Sequence, residues 1–431
     1  MTSSGAPTVT GMRCAACGTR VPVGSNVLVC PRSTPADRHH VLHFESAVVP
    51  FRPDESNNPF LAYRRWLAVD AFGEAVGVPE SGRIALIEEL DAQVAAVAGT
   101  GFEKTPLTRM DALSDELGFS TSGGVWVKDE TRNVAGSHKA RHIFTELLQL
   151  LLAERAGVAE WGNRARPSLA IASCGNAAIA ASTLARAVDW PIDVFVPPAA
   201  EQEVLSVLES LGARVHVCPR RDTDPAGDPC VHRFRESVAR GSVPFGVQGT
   251  ENVWCRDGGR TIGWEITDVM DHRADRVFVQ VGGGAFAACV GDSFRASGLH
   301  PRLHAVQAEG CAPLARAWER ALATGGATGA GARWADCMWP WENEPHSLAD
   351  GILDDETYDW VADVVELRAT HGRVVVANEN NVVRAAEMAR PITGIDVSPT
   401  GAAGLAGLLE ARDAFGADAR VVLAFSGVRR D

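Results

Sequence analysis

The sequence predicts an α/β fold of two open, twisted sheets, and three observations carry that prediction. From about residue 168 onward, short β-branched runs alternate with Ala-rich stretches of helical character. Several of the runs are apolar nearly throughout, as strands covered by helices on both faces must be. At 431 residues the chain is also longer than one doubly wound domain needs.

In chain order the runs are SLAIAS (168–173), IDVFVP (192–197), ARVHVC (213–218), RVFVQV (276–281), RLHAVQ (302–307) and RVVLAF (420–425). An earlier run, SGGVWVKDE (122–130), also reads as a strand. A turn at 133–136 follows it, and Ser137 is placed to cap the helix beginning there. ATGGATGAGAR (323–333) reads as a surface loop, and the first thirteen residues as disordered.

With 46% apolar and 22% charged residues, the chain has the composition of a globular protein. A net charge of −13 argues against a nucleic-acid partner, because affinity for phosphate backbones comes from basic surfaces. No apolar run reaches the roughly 18 residues of a membrane span, and residues 1–12 lack the features of a secretory signal. The expectation is therefore a cytoplasmic protein with no membrane partner. Ten scattered cysteines fit reduced thiols better than a disulfide framework.

Only three of the 41 Lys+Arg residues are lysines: Lys104, Lys128 and Lys139. Lys139 falls in the first turn of a helix, where the positive end of the helix dipole disfavours protonation of an amine. A deprotonated lysine is what Schiff-base chemistry requires. Lys104, in a TPL segment, and Lys128, on a strand edge, read as ordinary solvated residues.

Three further segments complement Lys139. ASCGNAA (172–178) brings Ser173, Cys174, Gly175 and Asn176 to a helix N-terminus, a ready site for a carboxylate. VQVGGGAFAACV (279–290) runs a buried strand into Gly282, Gly283, Gly284 and Ala285, whose backbone can wrap a phosphate. The spacing matches neither the dinucleotide fingerprint nor the Walker loop. LAFSGV (423–428) ends a late strand at Ser426, whose hydroxyl belongs in the crevice where open sheets bind ligands. Together an amine, a phosphate cradle, an Asn and a hydroxyl fit pyridoxal 5'-phosphate.

The order lysine, S-x-G-N, glycine loop, terminal Ser-Gly resembles the tryptophan synthase β-like superfamily, the fold-type II pyridoxal phosphate enzymes, over about 105–428. Within it, NPFLAYRRWL (58–67), EKTPLTRMDAL (103–113), ASCGNAAIAAS (172–182), SLADGI (347–352) and SPTGAAGLAGL (398–408) resemble threonine synthases. The resemblance implies that Lys139 is the catalytic, cofactor-linking lysine and that Asn176 faces the cofactor's phenolic oxygen. It makes Gly282, Gly283, Gly284 and Ala285 the phosphate loop, sets Ser426 against the pyridine nitrogen, and gives Ser173, Cys174, Gly175 and Asn176 the substrate carboxylate. His138, in GSHKAR where the family has GSFKDR, resembles the tryptophan synthase β histidine that contacts the phosphate; packing against the ring edge is the other reading. Domains are expected at 46–166 with 246–431 (large) and 167–245 with part of 101–115 (small, mobile), in a homodimer.

Residues 1–45 form an N-terminal extension whose Cys14, Cys17 and Cys30 resemble the zinc-ribbon start of some threonine synthases. A fourth cysteine would fall at Ser33; His39, His40 or His43 offers an alternative ligand. The reading prefers a metal-free remnant to bound zinc.

The activity implied is elimination or replacement at Cβ or Cγ of an activated amino acid, as in threonine synthase. The alternatives are a serine or threonine dehydratase, a specialised β-replacement synthase, and an inactive regulatory homologue. Lys139 speaks against the last, since arginine replaces lysine almost everywhere else in the chain.

Overall fold

The computed structural model describes residues 6–430 except 48, 272 and 325–328. Three sheets organise them. The largest has the order β12-β11-β10-β13-β5-β4, from Arg373–Ala377 (β12), Arg302–Ala308 (β11), Arg276–Gln280 (β10), Arg420–Phe425 (β13), Gly124–Asp129 (β5) and Leu107–Arg109 (β4). All of its pairings are parallel except β4 with β5. The second has the parallel order β8-β7-β6-β9, from Arg214–Val217 (β8), Ile192–Val196 (β7), Leu169–Ala172 (β6) and Val243–Pro244 (β9). Every run read from the sequence is a strand, and the fold is the expected α/β pair of open sheets.

Three features differ from the sequence reading. β12 lies outside the runs named above because it is a sheet edge with only Val375 and Ala377 buried, so it lacks the signature of a strand covered on both faces. Leu107–Arg109, a strand outside the runs named above, joins the larger sheet through antiparallel pairing with β5. The N-terminus is ordered from Ala6, although disorder is expected through residue 13: Val9–Cys14 (β1) is the centre of an antiparallel sheet with Arg20–Pro22 (β2) and Leu42–Ser46 (β3). Residues 1–5 lie outside the described residues, as do 325–328 of the loop at 323–333.

The helix Lys139–Arg155 runs back from the end of β5 and is buried along most of its length. Helix Cys255–Met270 lies against it at close range. A Cβ at Gly258 would overlap the Arg141 carbonyl, and one at Gly259 the His142 ring. The two glycines let the backbones approach and fix the depth at which Lys139 emerges.

Candidate active site

The residues that follow β13 meet the start of helix Asn176–Ala187, which follows β6, through Gly427 and Arg430 at Asn176. The first turn of the Lys139 helix is stitched to the end of β13. His138 donates its backbone N–H to the Ser426 carbonyl at 3.0 Å, and Ser137 bridges to Gly427. Ser137 therefore does not cap the helix. Its backbone is extended and tied to the C-terminal strand, and its buried hydroxyl has no protein partner. Burial pulls the Lys139 amine below the usual lysine range, against the opposing charge of Asp354.

His138 stacks on Phe286, centroids 4.0 Å apart, and its Nδ1 lies 3.0 Å from the Ser426 carbonyl oxygen. A carbonyl only accepts, so Nδ1 carries the proton. Burial, reinforced by Lys139, lowers the pKa well below the ordinary histidine value, and the ring is neutral with Nε2 unpartnered. The ring packs on Phe286 of the helix that follows the glycine loop, and Nε2 has no partner in the protein.

Gly282, Gly283 and Gly284 lead from β10 into helix Ala285–Ser297. Gly284 has φ +99°, a conformation that L side chains rarely adopt, and a Cβ there would press on Asp363, Thr357 and Asp359. Consecutive N–H groups at a long helix's N-terminus form an anion cradle. The sequence reading missed the residue that meets this cradle, Asp354. Its carboxylate accepts from the Gly283 N–H and lies where a Cβ on Gly282 would fall. Burial raises its pKa to about 6, with Lys139 pulling the other way. Asp355 and Asp228 stand close enough to add to that rise.

Across the crevice, Asn176 begins helix Asn176–Ala187; its Oδ1 accepts from Arg430 Nε at 3.0 Å, and its Nδ2 lies against Gly427. The Gly175 N–H donates to Ser173 Oγ at 3.4 Å. Partial loss of water, then Asp228 and Asp350, push the Cys174 thiol up, which leaves it a poor nucleophile. At the third corner, Ser426 Oγ accepts from Gln280 Nε2, which also donates to the Gly401 carbonyl at 2.8 Å. With its oxygen so engaged, the Ser426 hydroxyl proton is free for an acceptor in the crevice. Gln280 is visible in the sequence only as a polar residue inside an apolar strand.

Beneath Lys139 lies a buried network. Lys128 Nζ donates to the Thr105 carbonyl at 2.6 Å and pairs with Glu265 at 2.5 Å; Arg141 bonds Glu130 at 2.8 Å and Thr261 at 2.9 Å, and reaches Glu265. Against the burial that would raise it, Arg141 and then Lys128 hold the Glu130 carboxyl below its usual value. Lys128 is thus fully buried and not an edge residue in solvent, because its partners come from chain segments too distant for local spacing to register. Lys104 remains near the surface, paired with Asp268 at 3.2 Å.

The same chain holds the expected cysteine cluster at its other end: Cys14, Cys17 and Cys30 converge, and His40 joins them.

The crevice residues fit pyridoxal phosphate. A glycine turn at a helix start, a lysine whose pKa burial lowers, the Ser426 hydroxyl, and unpartnered buried atoms on Ser137 and His138 beside that lysine are the groups such a cofactor needs. Comparison with known proteins agrees. The family model described as pyridoxal-phosphate dependent enzyme matches residues 98–427. Threonine synthase of Methanosarcina acetivorans is 25% identical over 334 residues, covering 75% of this chain and 74% of its own. Threonine synthase of Mycobacterium tuberculosis is 24% identical over 315 residues, covering 72% and 76%. Among solved structures, maize serine racemase superposes with a TM-score of 0.60 at 19% identity, covering 81% of this chain and 94% of its own. A threonine deaminase from T.th. gives 0.58 at 20%, covering 80% and 98%. The chain belongs to the pyridoxal-phosphate-dependent enzyme family, and pyridoxal 5'-phosphate is its cofactor.

Proposed function

We propose that the protein catalyses elimination or replacement at Cβ or Cγ of an amino acid, with Lys139 as the base at Cα. The observation that carries this reading is the hydroxyl of Ser426, held by Gln280, at the corner where the resemblance sets the pyridine nitrogen. A hydroxyl donates a hydrogen bond but, unlike a carboxylate, does not hold that nitrogen protonated. Charge then stays nearer Cα and Cβ, which favours loss of a β or γ substituent over transamination.

When bound, pyridoxal phosphate supplies an aldehyde for the substrate amine and a ring that accepts electron density from Cα. The chain does the rest. The N–H groups of Gly282 to Ala285 hold the phosphate at the positive end of helix Ala285–Ser297. The turn Ser173, Cys174, Gly175 and Asn176 receives the substrate carboxylate at the start of its own helix. Lys139, its pKa lowered by burial, takes the Cα proton and returns it to the leaving group or product. The four-stranded unit, 167–245, is the part we expect to close on substrate, and the working unit a homodimer.

Asp354, Asp355 and Asp228 select among substrates. Asp354 beside Lys139, with Asp355 and Asp228 adding like charge around it, disfavours a doubly charged phosphate leaving group and favours a neutral hydroxyl, so the dehydratase branch ranks above the phosphorylated-substrate branch.

The test is the visible spectrum of the purified holoprotein, then product analysis with serine, threonine, O-phosphoserine and O-phosphohomoserine. The reading expects a cofactor band absent from Lys139→Ala, and ammonia with a 2-oxo acid from serine or threonine. Phosphate release from O-phosphohomoserine would restore the threonine synthase branch. A colourless protein that added pyridoxal phosphate does not restore would leave only the regulatory alternative.

A further inference from the structure

The N-terminal sheet brings one donor atom each from Cys14, Cys17, Cys30 and His40 within 4.8 Å of one another. Two edges of that cluster are measured directly. Cys17 Sγ and Cys30 Sγ are 3.7 Å apart, and Cys14 Sγ lies 3.4 Å from His40 Nδ1. For a tetrahedral zinc with Zn–S about 2.3 Å and Zn–N about 2.05 Å, the sulfur–sulfur edge is roughly 3.8 Å and the sulfur–nitrogen edge roughly 3.5 Å. Both edges agree with a tetrahedron around one ion. Cys14, Cys30 and His40 are buried, and Cys17 closes the set from the surface side.

The supporting residues explain why histidine replaces the missing cysteine. Ser33, where a fourth cysteine would fall, turns its Oγ to the Asp37 carbonyl at 3.4 Å. Asp37 bridges back to Thr34, and its Oδ2 lies 3.4 Å from His40 Nε2. A carboxylate on one ring nitrogen fixes the tautomer and presents the other as a ligand. The chain therefore reaches the fourth corner from the far side of the 30–40 loop.

That loop also reaches the catalytic half. His39 stacks on Trp334 with centroids 4.9 Å apart, and Arg38 pairs with Glu251 at 3.2 Å. Arg38 and His39 form one wall of a cavity of about 210 Å³ whose other walls include Arg235, Glu356 and Tyr358. Glu356 and Tyr358 lie just beyond Asp354 in the chain, and Tyr358 lies 3.4 Å from where a Cβ on Gly283 would be.

We propose that Cys14, Cys17, Cys30 and His40 bind one Zn²⁺ as a closed, four-ligand structural site, and that the ion fixes the 30–40 loop against the segment 354–358 beside the glycine loop. Binding converts three thiols to thiolates with release of their protons, and nothing is oxidised or reduced. Three sulfurs and one imidazole select zinc over magnesium or calcium, which want oxygen donors. The inference does not depend on which reaction the crevice performs.

The test uses the full-length holoprotein purified without chelator. Elemental analysis should find one zinc per chain, and cobalt replacement should give the visible bands of a tetrahedral site with thiolate charge transfer. His40→Cys should keep the metal and raise the charge-transfer intensity by about a third, from three thiolates to four. Cys30→Ser should lose it. If Cys30→Ser fails to fold, thiol modification of the native protein with a chromogenic zinc dye present reads the same quantity: one zinc released per chain. A small fraction of an ion per chain, or a Cys17–Cys30 disulfide in the native protein, overturns the site. Hydrogen exchange before and after zinc removal tests the second clause: faster exchange at both 30–40 and 354–358 is expected, and a change confined to the ribbon overturns it.

Discussion

Two charged clusters flank Lys139, and they are built on opposite principles. Below it, Lys128 and Arg141 face Glu130 and Glu265: two cations, two carboxylates, all buried, each within bonding distance of an opposite charge. Beside it, Asp354 meets Lys139 as an opposing charge but Asp355 and Asp228 as like charges, and the carboxyls of Asp354 and Asp355 are both raised. Balanced charge fixes geometry, because any member removed strands a partner in a dry interior. Unbalanced charge stores a cost that a proton, a cation or a bound ligand relieves. The first cluster anchors the helix that carries Lys139 through Arg141, and the second crowds Asp354, the carboxylate that opposes the amine.

The largest effect separates Lys139 from both clusters. Lys139→Ala should abolish the visible cofactor band and lower turnover at least about a thousandfold, with folding intact, since no ion pair of the lower network includes it. Unfolding of this variant would mean that Lys139 belongs to the structural cluster after all. Next comes the network itself. Arg141→Met leaves Glu130 and Glu265 short of a cation and should cost about 3–5 kcal/mol in denaturant unfolding. Lys128→Met combined with Glu265→Gln should cost less than the two single changes added, because the pair is coupled. Strict additivity would show that the two charges do not act as a unit.

Asp354 sharpens the contrast through pH. Its folded pKa of about 6 is raised above the ordinary aspartate value, so the folded state carries no penalty when the group is protonated and loses stability as pH rises through the window between the two values. Asp354→Asn should therefore stabilise the protein by up to about 3 kcal/mol at pH 7 and by nothing below about pH 4. The same substitution should tighten phosphate and cofactor binding above pH 6, where the native carboxylate competes for the Gly283 N–H. A cofactor affinity that follows the same pH curve in both proteins would remove Asp354 from the phosphate site.

The two clusters also differ in how far the sequence discloses them. Lys139, the glycine loop and Ser426 are legible because each sits at a junction whose chemistry is local: a strand end, small residues, a helix start. The strands read from the sequence are legible because burial on both faces leaves runs of apolar residues. The lower network is not, since Lys128 on β5 and Glu265 on helix Cys255–Met270 are 137 residues apart and meet only in the folded chain. Asp354 hides for the same reason, inside SLADGILDDE, where nothing nearby marks it as the neighbour of Lys139. His40 is one of three histidines on offer, and the turn through Asp37 decides which one meets the cysteines.

The smallest expected effect falls on Ser137, where local reasoning and the folded chain disagree most directly. As a helix cap, its loss would cost about 1 kcal/mol whether or not the cofactor is bound. The structure instead gives it an extended backbone bridged to Gly427 and a buried hydroxyl with no partner in the protein. A buried hydroxyl without a partner contributes nothing to the apoprotein and carries its own desolvation cost. Ser137→Ala should therefore leave apoprotein stability unchanged or slightly higher. If the hydroxyl serves the cofactor, the substitution should weaken cofactor binding by about 1 kcal/mol, roughly fivefold, in a titration of apoprotein with pyridoxal phosphate. Equal losses in apo and holo forms would return Ser137 to the capping role. A loss confined to the holo form would add it to the groups that hold the cofactor beside Lys139.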